Sequence, residues 1–278
     1  EGAERNSELY NGRNAALVAQ DPKTGQILAL VGSKDYFGEP EPASCNPGNC
    51  QFEGNFNVAT QGLRQPGSAF KPLAYVTAFK MGYPPETVLF DLPTEFSSYS
   101  KICPPININF SDGNKLCFHP ENFDRNFRGP VDLRNALAQS INVPSVKVLY
   151  LVGISNALKT ASDFGITTLT DPSRYGLSLV LGGGEVKLLE LVGAYSVLSQ
   201  EGVRHRQNFI LKIENDEGGV LEKYLDEANQ VIESQHARLI NEILSDEEAR
   251  SGLFQNSLGL TVFPDREVAL KTGTTNDY

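Results

Sequence analysis

Three short stretches carry side chains whose types and spacing could activate a serine for nucleophilic attack. Ser68-Ala69-Phe70-Lys71 sets a hydroxyl and an amine three residues apart, and positions i and i+3 share one helix face. Pro66-Gly67 reads as a turn, so Ser68 starts a helix, where the free N–H groups favour developing negative charge. Pro72 is tolerated there because first-turn N–H groups lack intrahelical acceptors. Serine is a weak nucleophile without a base. No histidine is placed for that task, so Lys71 is the candidate, provided burial or a second cation keeps it neutral. Ser140-Ile141-Asn142 lies between a helix ending near Gln139 and one beginning at Pro144. In an extended turn, residues i and i+2 point the same way and present a hydroxyl and an amide to one cavity. Lys271-Thr272-Gly273-Thr274 follows the apolar Val268-Ala269-Leu270. Lys271 would supply the second cation, Gly273 would admit a ligand backbone, and the threonine hydroxyls of Thr272 and Thr274 could bind a carboxylate.

Each triplet has a rival in the same chain. Ser98-Tyr99-Ser100-Lys101, Ser44-Cys45-Asn46 and Lys23-Thr24-Gly25 match the same patterns. Context separates them. Ser98 sits in a polar stretch without helical period, Ser44 lies in a cysteine loop, and Gly25 closes a hairpin tip where a positive φ is needed. Any one favoured motif reads equally well as a helix cap, a turn or a surface lysine. All three together, on a helix start, an inter-helix turn and a strand end, are far more specific.

The elements that must hold these residues follow from periodicity. Ala15–Ala19 and Gln26–Val31 flank Asp21-Pro22-Lys23-Thr24-Gly25 as a β-hairpin. Helical spacing runs over Ser68–Met81, Val131–Gln139, Pro144–Val152, Asn156–Phe164, Glu185–Gln200 and Ala237–Leu244, most of them stopped by glycine. Phe209–Ile213 and Val220-Leu221 predict a second hairpin, and Arg266–Thr272 a last strand. Gly182-Gly183-Gly184 lacks the Lys-Ser/Thr of a phosphate loop and reads as a tight turn. Strands at both ends with helices between predict an antiparallel sheet carrying an inserted helical lobe, and a site at the seam. The expected division is a linker over 1–13 and one domain over 14–278, with sheet parts 14–34 and 205–278 and a helical lobe 60–204.

The chain has 278 residues, 40% of them hydrophobic, and a net charge of −10. That composition supports a buried core and argues against nucleic acid, whose phosphates need clustered Lys and Arg. No apolar run reaches the length of a membrane span. No signal peptide is evident, so an anchor or export signal is expected to lie outside this sequence. Cys45 and Cys50 flank a turn, and Cys103 and Cys117 flank a polar stretch carrying Asp112-Gly113-Asn114. Two local pairs point to two disulfides and an oxidising compartment. Three connectivities are open, and a four-cysteine zinc site is the weaker rival because the spacing is not that of metal knuckles. His119, His205 and His236 are scattered and read as surface or packing residues.

The motifs and their surroundings resemble the transpeptidase domain of class A (bifunctional) penicillin-binding proteins. Ala16–Ala29 resembles the opening hairpin and Arg64–Pro72 the nucleophile segment. Pro120-Glu121-Asn122 and Leu133–Pro144 resemble the second element. Leu181–Val186 through Ala194-Tyr195 resembles the helix before the sheet returns. The similarity covers roughly 14–278 and implies an α+β, β-lactamase/transpeptidase-like fold.

It further implies a peptidoglycan D,D-transpeptidase. Ser68 would be the nucleophile toward the D-Ala-D-Ala end of a stem peptide, and Lys71 its base. Ser140 would relay a proton to the leaving amine with Lys271 nearby, and Asn142 would bind the substrate amide. The N–H groups of Ser68 and Thr274 would form the oxyanion hole, and Thr272 and Thr274 would hold the terminal carboxylate beside Gly273. β-Lactams would acylate the same serine, and no metal or organic cofactor is implied. The resemblance also implies an upstream glycosyltransferase domain and membrane helix, and further strands and a helix after Tyr278, which would leave Lys271 on an edge strand here. The expected place is the periplasm or the outer face of a bacterial membrane. A D,D-carboxypeptidase or a catalytically silent penicillin-binding scaffold are the alternatives. A class A β-lactamase ranks low, because no Glu-x-x-Leu-Asn element lies between Ser140 and Lys271.

Overall fold

The structure, a computed structural model, describes residues 5, 9, 12–46, 49–97, 101–103 and 116–275. Most of the expected 1–13 linker, the rival Ser98 and the Asp112-Gly113-Asn114 stretch lie outside the described residues. In chain order the elements are β1 (Leu17–Gln20), β2 (Ile27–Val31), α1 (Lys71–Lys80), β3 (Val88–Asp91), β4 (Gly129–Asp132), α2 (Leu133–Ala138), α3 (Asn142–Val152), α4 (Ile154–Asp163), α5 (Leu188–Ser199), β5 (Val203–His205), β6 (Lys212–Glu214), β7 (Val220–Lys223), β8 (Ala228–Gln230), α6 (Ser234–Ser245) and α7 (Glu247–Phe254).

The chain divides into two compact units. The first comprises Glu1–Arg64, Ser162–Leu169 and Glu185–Glu233, and the second Gln65–Ala161, Thr170–Gly184 and Ser234–Tyr278. In the first unit, β1 and β2 pair antiparallel with Leu17 opposite Val31. Their turn closes through Gly25 at φ +73°, whose N–H donates to Asp21 O at 2.9 Å. Helix α5 packs on β1 and β5. Two further antiparallel pairs, β5–β8 and β6–β7, complete the unit's strands.

The second unit is built around α1, where every residue from Lys71 to Phe79 is buried. A helix covered on all sides must be central, and α2, α3 and α6 pack around it. Helix α2 begins where Asp132 caps it, its carboxylate accepting from Asn135 N at 2.7 Å. Upstream, Glu95 ties a loop together. Its carboxylate accepts from Ser97 N and Phe118 N at 2.7 and 2.8 Å and meets His119 Nδ1 at 2.8 Å. Burial works to raise the Glu95 pKa, but these bonds outweigh it and the group is lowered. The Cys103–Cys117 disulfide closes the same loop, and Cys45–Cys50 closes the earlier one. Both local pairs therefore form, and the four-thiol zinc reading falls.

Several expectations are corrected. The chain around Ser68 is a 3-10 turn, Gly67–Phe70, and the α-helix starts only at Lys71, with Pro72 in its first turn. Val131 belongs to β4, which pairs with β3, because Asp132 caps α2 and starts it two residues later than periodicity suggested. Arg266–Thr272 forms no ladder. That segment is irregular, with a bridge between Phe263 and Arg266 and a bond from Leu270 N to Leu244 O at 3.2 Å. Among the described residues the ladders are four two-stranded antiparallel pairs, and the first hairpin meets the returning chain through a bridge between Gln26 and Asn208.

Candidate active site

The three motifs meet inside the second unit, not at a seam. Every predicted site residue, from Ser68 to Thr274, belongs to it. Ser68 is half-buried in the 3-10 turn, and Lys71 N donates back to Ser68 O, so the turn runs directly into α1. Lys71 itself is fully buried. Its Nζ donates to Ser140 O at 2.6 Å and to Asn142 Oδ1 at 2.8 Å, and lies 3.3 Å from Ser140 Oγ. Lys271 arrives from the far end of the chain. Its Nζ donates to Ser140 Oγ at 2.7 Å and to Thr272 O at 2.8 Å. One hydroxyl thus stands between two amines that are 200 residues apart in sequence.

Electrostatics then decide the protonation. Burial, reinforced by the charge of Lys271, holds the Lys71 amine well below the usual lysine range. Burial brings Lys271 down to about 7. A neutral amine has two protons and one lone pair. Lys71 can spend the protons on Ser140 O and Asn142 Oδ1, which leaves the lone pair for a hydroxyl proton. Ser140 is held in the left-handed region at φ +58°, which is unusual for a residue with a side chain.

Asn142 is fixed at both ends of its amide. Its Oδ1 accepts from Lys71, and one Nδ2 proton goes to Glu121 O at 2.7 Å. The second Nδ2 proton is available to a ligand. Thr272, Gly273 and Thr274 are exposed and line an open approach. Gly273 packs against the turn that carries Ser68, where an added methyl would sit 2.5 Å from Pro66 O. Gly67 presses on Thr274 in the same way, and Gly182 presses on Gly67. These contacts bring the Ser68 and Thr274 segments side by side.

Of the rival motifs, Ser98 lies outside the described residues. Lys23 and Ser44 are exposed, as is Lys101. His119 and His205 pair with Glu95 and Asp226 at 2.8 and 2.7 Å. A cluster of Glu95, Cys103 and Cys117 brings three ligand-type atoms together, but both thiols are spent in the disulfide.

Two contributors were not visible as such in the sequence. Gly182 read only as a turn residue, yet its backbone lies against Gly67. Asn122 read only as part of a family resemblance, yet it reaches the start of α3. No local signal marked it, because the sequence put the helix start at Pro144 and only the structure sets Ile141, which has no side-chain oxygen, at the N-cap of α3.

Comparison with known proteins gives the family. Residues 15–278 match the penicillin binding protein transpeptidase domain. Penicillin-binding protein 1A of Neisseria flavescens is 32% identical over 267 residues, covering 94% of this chain and 29% of that protein. The protein of the same name from Aquifex aeolicus is 31% identical, covering 98% of this chain and 32% of its own. The chain therefore spans about a third of the length of these relatives. Among solved structures, penicillin-binding protein 1A from Haemophilus influenzae superposes with a TM-score of 0.65 at 25% identity, over 84% of this chain and 35% of that one. Penicillin-binding protein A from M. tuberculosis, determined as an imipenem acyl-enzyme complex, shares the fold with a TM-score of 0.74 at 20% identity, over 99% of this chain and 65% of that one. Sequence match and fold agree over nearly the whole chain, and the chain belongs to the family of penicillin binding protein transpeptidase domains.

Proposed function

We propose that this chain is the D,D-transpeptidase module of a longer penicillin-binding protein, with Ser68 as the nucleophile. The supporting observation is the pair of amines from Lys71 and Lys271 on one hydroxyl, Ser140 Oγ, with Lys71 fully buried. Ser68 Oγ attacks the carbonyl of the penultimate D-Ala and gives its proton to neutral Lys71. The N–H groups of Ser68 and Thr274 hold the oxyanion, a contribution worth ~10²–10³ in rate per donor. Lys71 returns that proton through Ser140 Oγ, 3.3 Å away, to the leaving nitrogen, so that D-Ala departs, an acyl ester stays on Ser68 and Lys71 is neutral again. An amino group of a neighbouring stem peptide then attacks the ester, loses its proton to the same base, and frees the serine. Asn142 orients the substrate amide through its free Nδ2 proton, and Thr272 and Thr274, beside Gly273, take the terminal carboxylate. A β-lactam acylates the same oxygen.

The compartment is extracytoplasmic, where stem peptides lie and where both disulfides are kept oxidised. The parent protein carries its glycosyltransferase and membrane anchor in other segments, in keeping with the greater length of its relatives. Fluorescent penicillin should label the full-length protein at Ser68, with no label after Ser68→Ala. Label persisting in that variant, or mapping to Ser98, overturns the assignment. With donor and acceptor stem peptides, a cross-linked product is expected. Free acid as the only product would make the enzyme a D,D-carboxypeptidase instead.

A further inference from the structure

Helix α3 has a capping problem. It begins at Asn142, immediately after Ser140 and inside the cluster of reacting groups. The first N–H groups of a helix need outside acceptors. The N-cap residue is Ile141, which is buried and has nothing to offer. The acceptor comes from 20 residues upstream: Asn122 Oδ1 accepts from Asn142 N at 3.0 Å and from Val143 N at 3.3 Å.

An asparagine amide could present either end. Here the choice is forced from behind. Asp91 is fully buried, and its carboxylate only accepts, so the Nδ2 end of Asn122 must face it, at 2.9 and 3.0 Å. The other Nδ2 proton goes to Asn126 O at 2.7 Å. Asp91 is itself held by Arg128 N at 3.0 Å and by the Arg128 guanidinium at 3.8 Å. All bonding positions of the buried Asn122 amide are thereby used, and its orientation is locked. The neighbouring Glu121 O fixes the Asn142 side chain at 2.7 Å. One short segment therefore sets both the backbone and the amide of Asn142, and with them the two oxygens that receive the Lys71 protons.

We propose that Asn122, oriented by Asp91, is a positioning residue for acylation: it holds Ser140 and Asn142 against Lys71 without touching substrate. This rests on the reading of Ser68 as nucleophile. Loss of the cap lets the turn drift from Lys71. A misplacement of about 1 Å costs about 10²-fold in rate. Drift also admits water around Lys71, and Lys271 is the charged group facing that amine. Hydration raises the Lys71 pKa, so the acid limb of the acylation profile moves to higher pH.

The test measures acylation by fluorescent penicillin against pH in the full-length protein, with the folded fraction fixed by thermal melting. Asn122→Ala should acylate about 10²-fold more slowly and show its acid limb at higher pH. A folded variant within about twofold of wild type, with an unmoved limb, overturns the proposal. Asn122→Asp decides the matter if the alanine variant does not fold. Protonated, the new carboxyl can still donate to Asp91 and accept from α3. Ionised, it faces Asp91, and among the described residues the Arg128 guanidinium and Lys147 are the cations that interact with Asp91. Its rate relative to wild type should fall as pH rises, and a flat ratio overturns the proposal. Wild-type protein that takes no label, or Ser68→Ala that does, defeats the nucleophile assignment instead, so the two failures are distinguishable.

Discussion

Ser140 shows what a single residue contributes. It sits at φ +58° with a side chain, a conformation that costs ~1–3 kcal/mol and persists only where the surroundings impose it. The surroundings here are the two lysines that share its hydroxyl and its carbonyl. Stability and activity should therefore separate at this position. Ser140→Ala and Ser140→Gly both lose the hydroxyl, and penicillin acylation should fall by ~10² or more in each. The glycine variant, free of the left-handed strain, should be more stable than the alanine variant by about 1 kcal/mol in denaturant melts. Wild-type acylation in either variant would remove Ser140 from the proton path. An alanine variant as stable as the glycine one would show that the backbone is not strained.

At the scale of elements, backbone contacts between glycines hold the site together. Gly182 ends the 3-10 turn Leu177–Leu181 at φ +92°, and an added methyl would overlap the backbone of Gly67, which precedes Ser68. Gly67, at φ +57°, abuts Thr274 in the same manner. The 3-10 turn carrying Ser68 is wedged between two chain segments, and this fixes the direction of its N–H. Gly182→Ala should both destabilise the protein by about 2 kcal/mol or more and slow acylation of the fraction that folds. Gly176→Ala is the matched comparison, since its methyl would meet nothing within 4 Å and its φ is −106°. Equal labelling rates for the two variants would show that the glycine contact has no bearing on Ser68.

For the whole molecule, the two buried amines carry a cost that pH can measure. Lys71 and Lys271 are lowered on folding, so the unfolded chain binds protons that the folded chain does not. Their contribution to stability therefore rises with pH, from the folded value of about 7 for Lys271 toward the ordinary lysine value. Burial also raises Tyr75 and Tyr195, which opposes the trend near pH 10 and above. The difference in stability between Lys271→Met and wild type should drift in favour of wild type from pH 7 to about 9.5. A difference independent of pH, by chemical denaturation across that range, would show that Lys271 keeps its ordinary pKa.

What could be read from the chain alone was local. The hairpin around Gly25, the order of the helices and the expectation of two disulfides follow from spacing, turn chemistry and period, which act over a few residues, whereas the choice among three cysteine pairings came from the structure. The 3-10 geometry at Ser68 and the capped start of α2 shifted boundaries by a turn or less. Three more things were decided only by the tertiary structure. Lys271 comes from an irregular segment and not a strand, because its place is set by packing near α6 and by Ser140, not by a ladder. The site lies within one unit, because α1, α3 and the Lys271 segment converge there. Asn122 caps a helix 20 residues away, and no local pattern announces it. Burial, pKa and the direction of a hydrogen bond depend on which distant atoms exclude water and which accept a proton, and those neighbours exist only once the chain has folded.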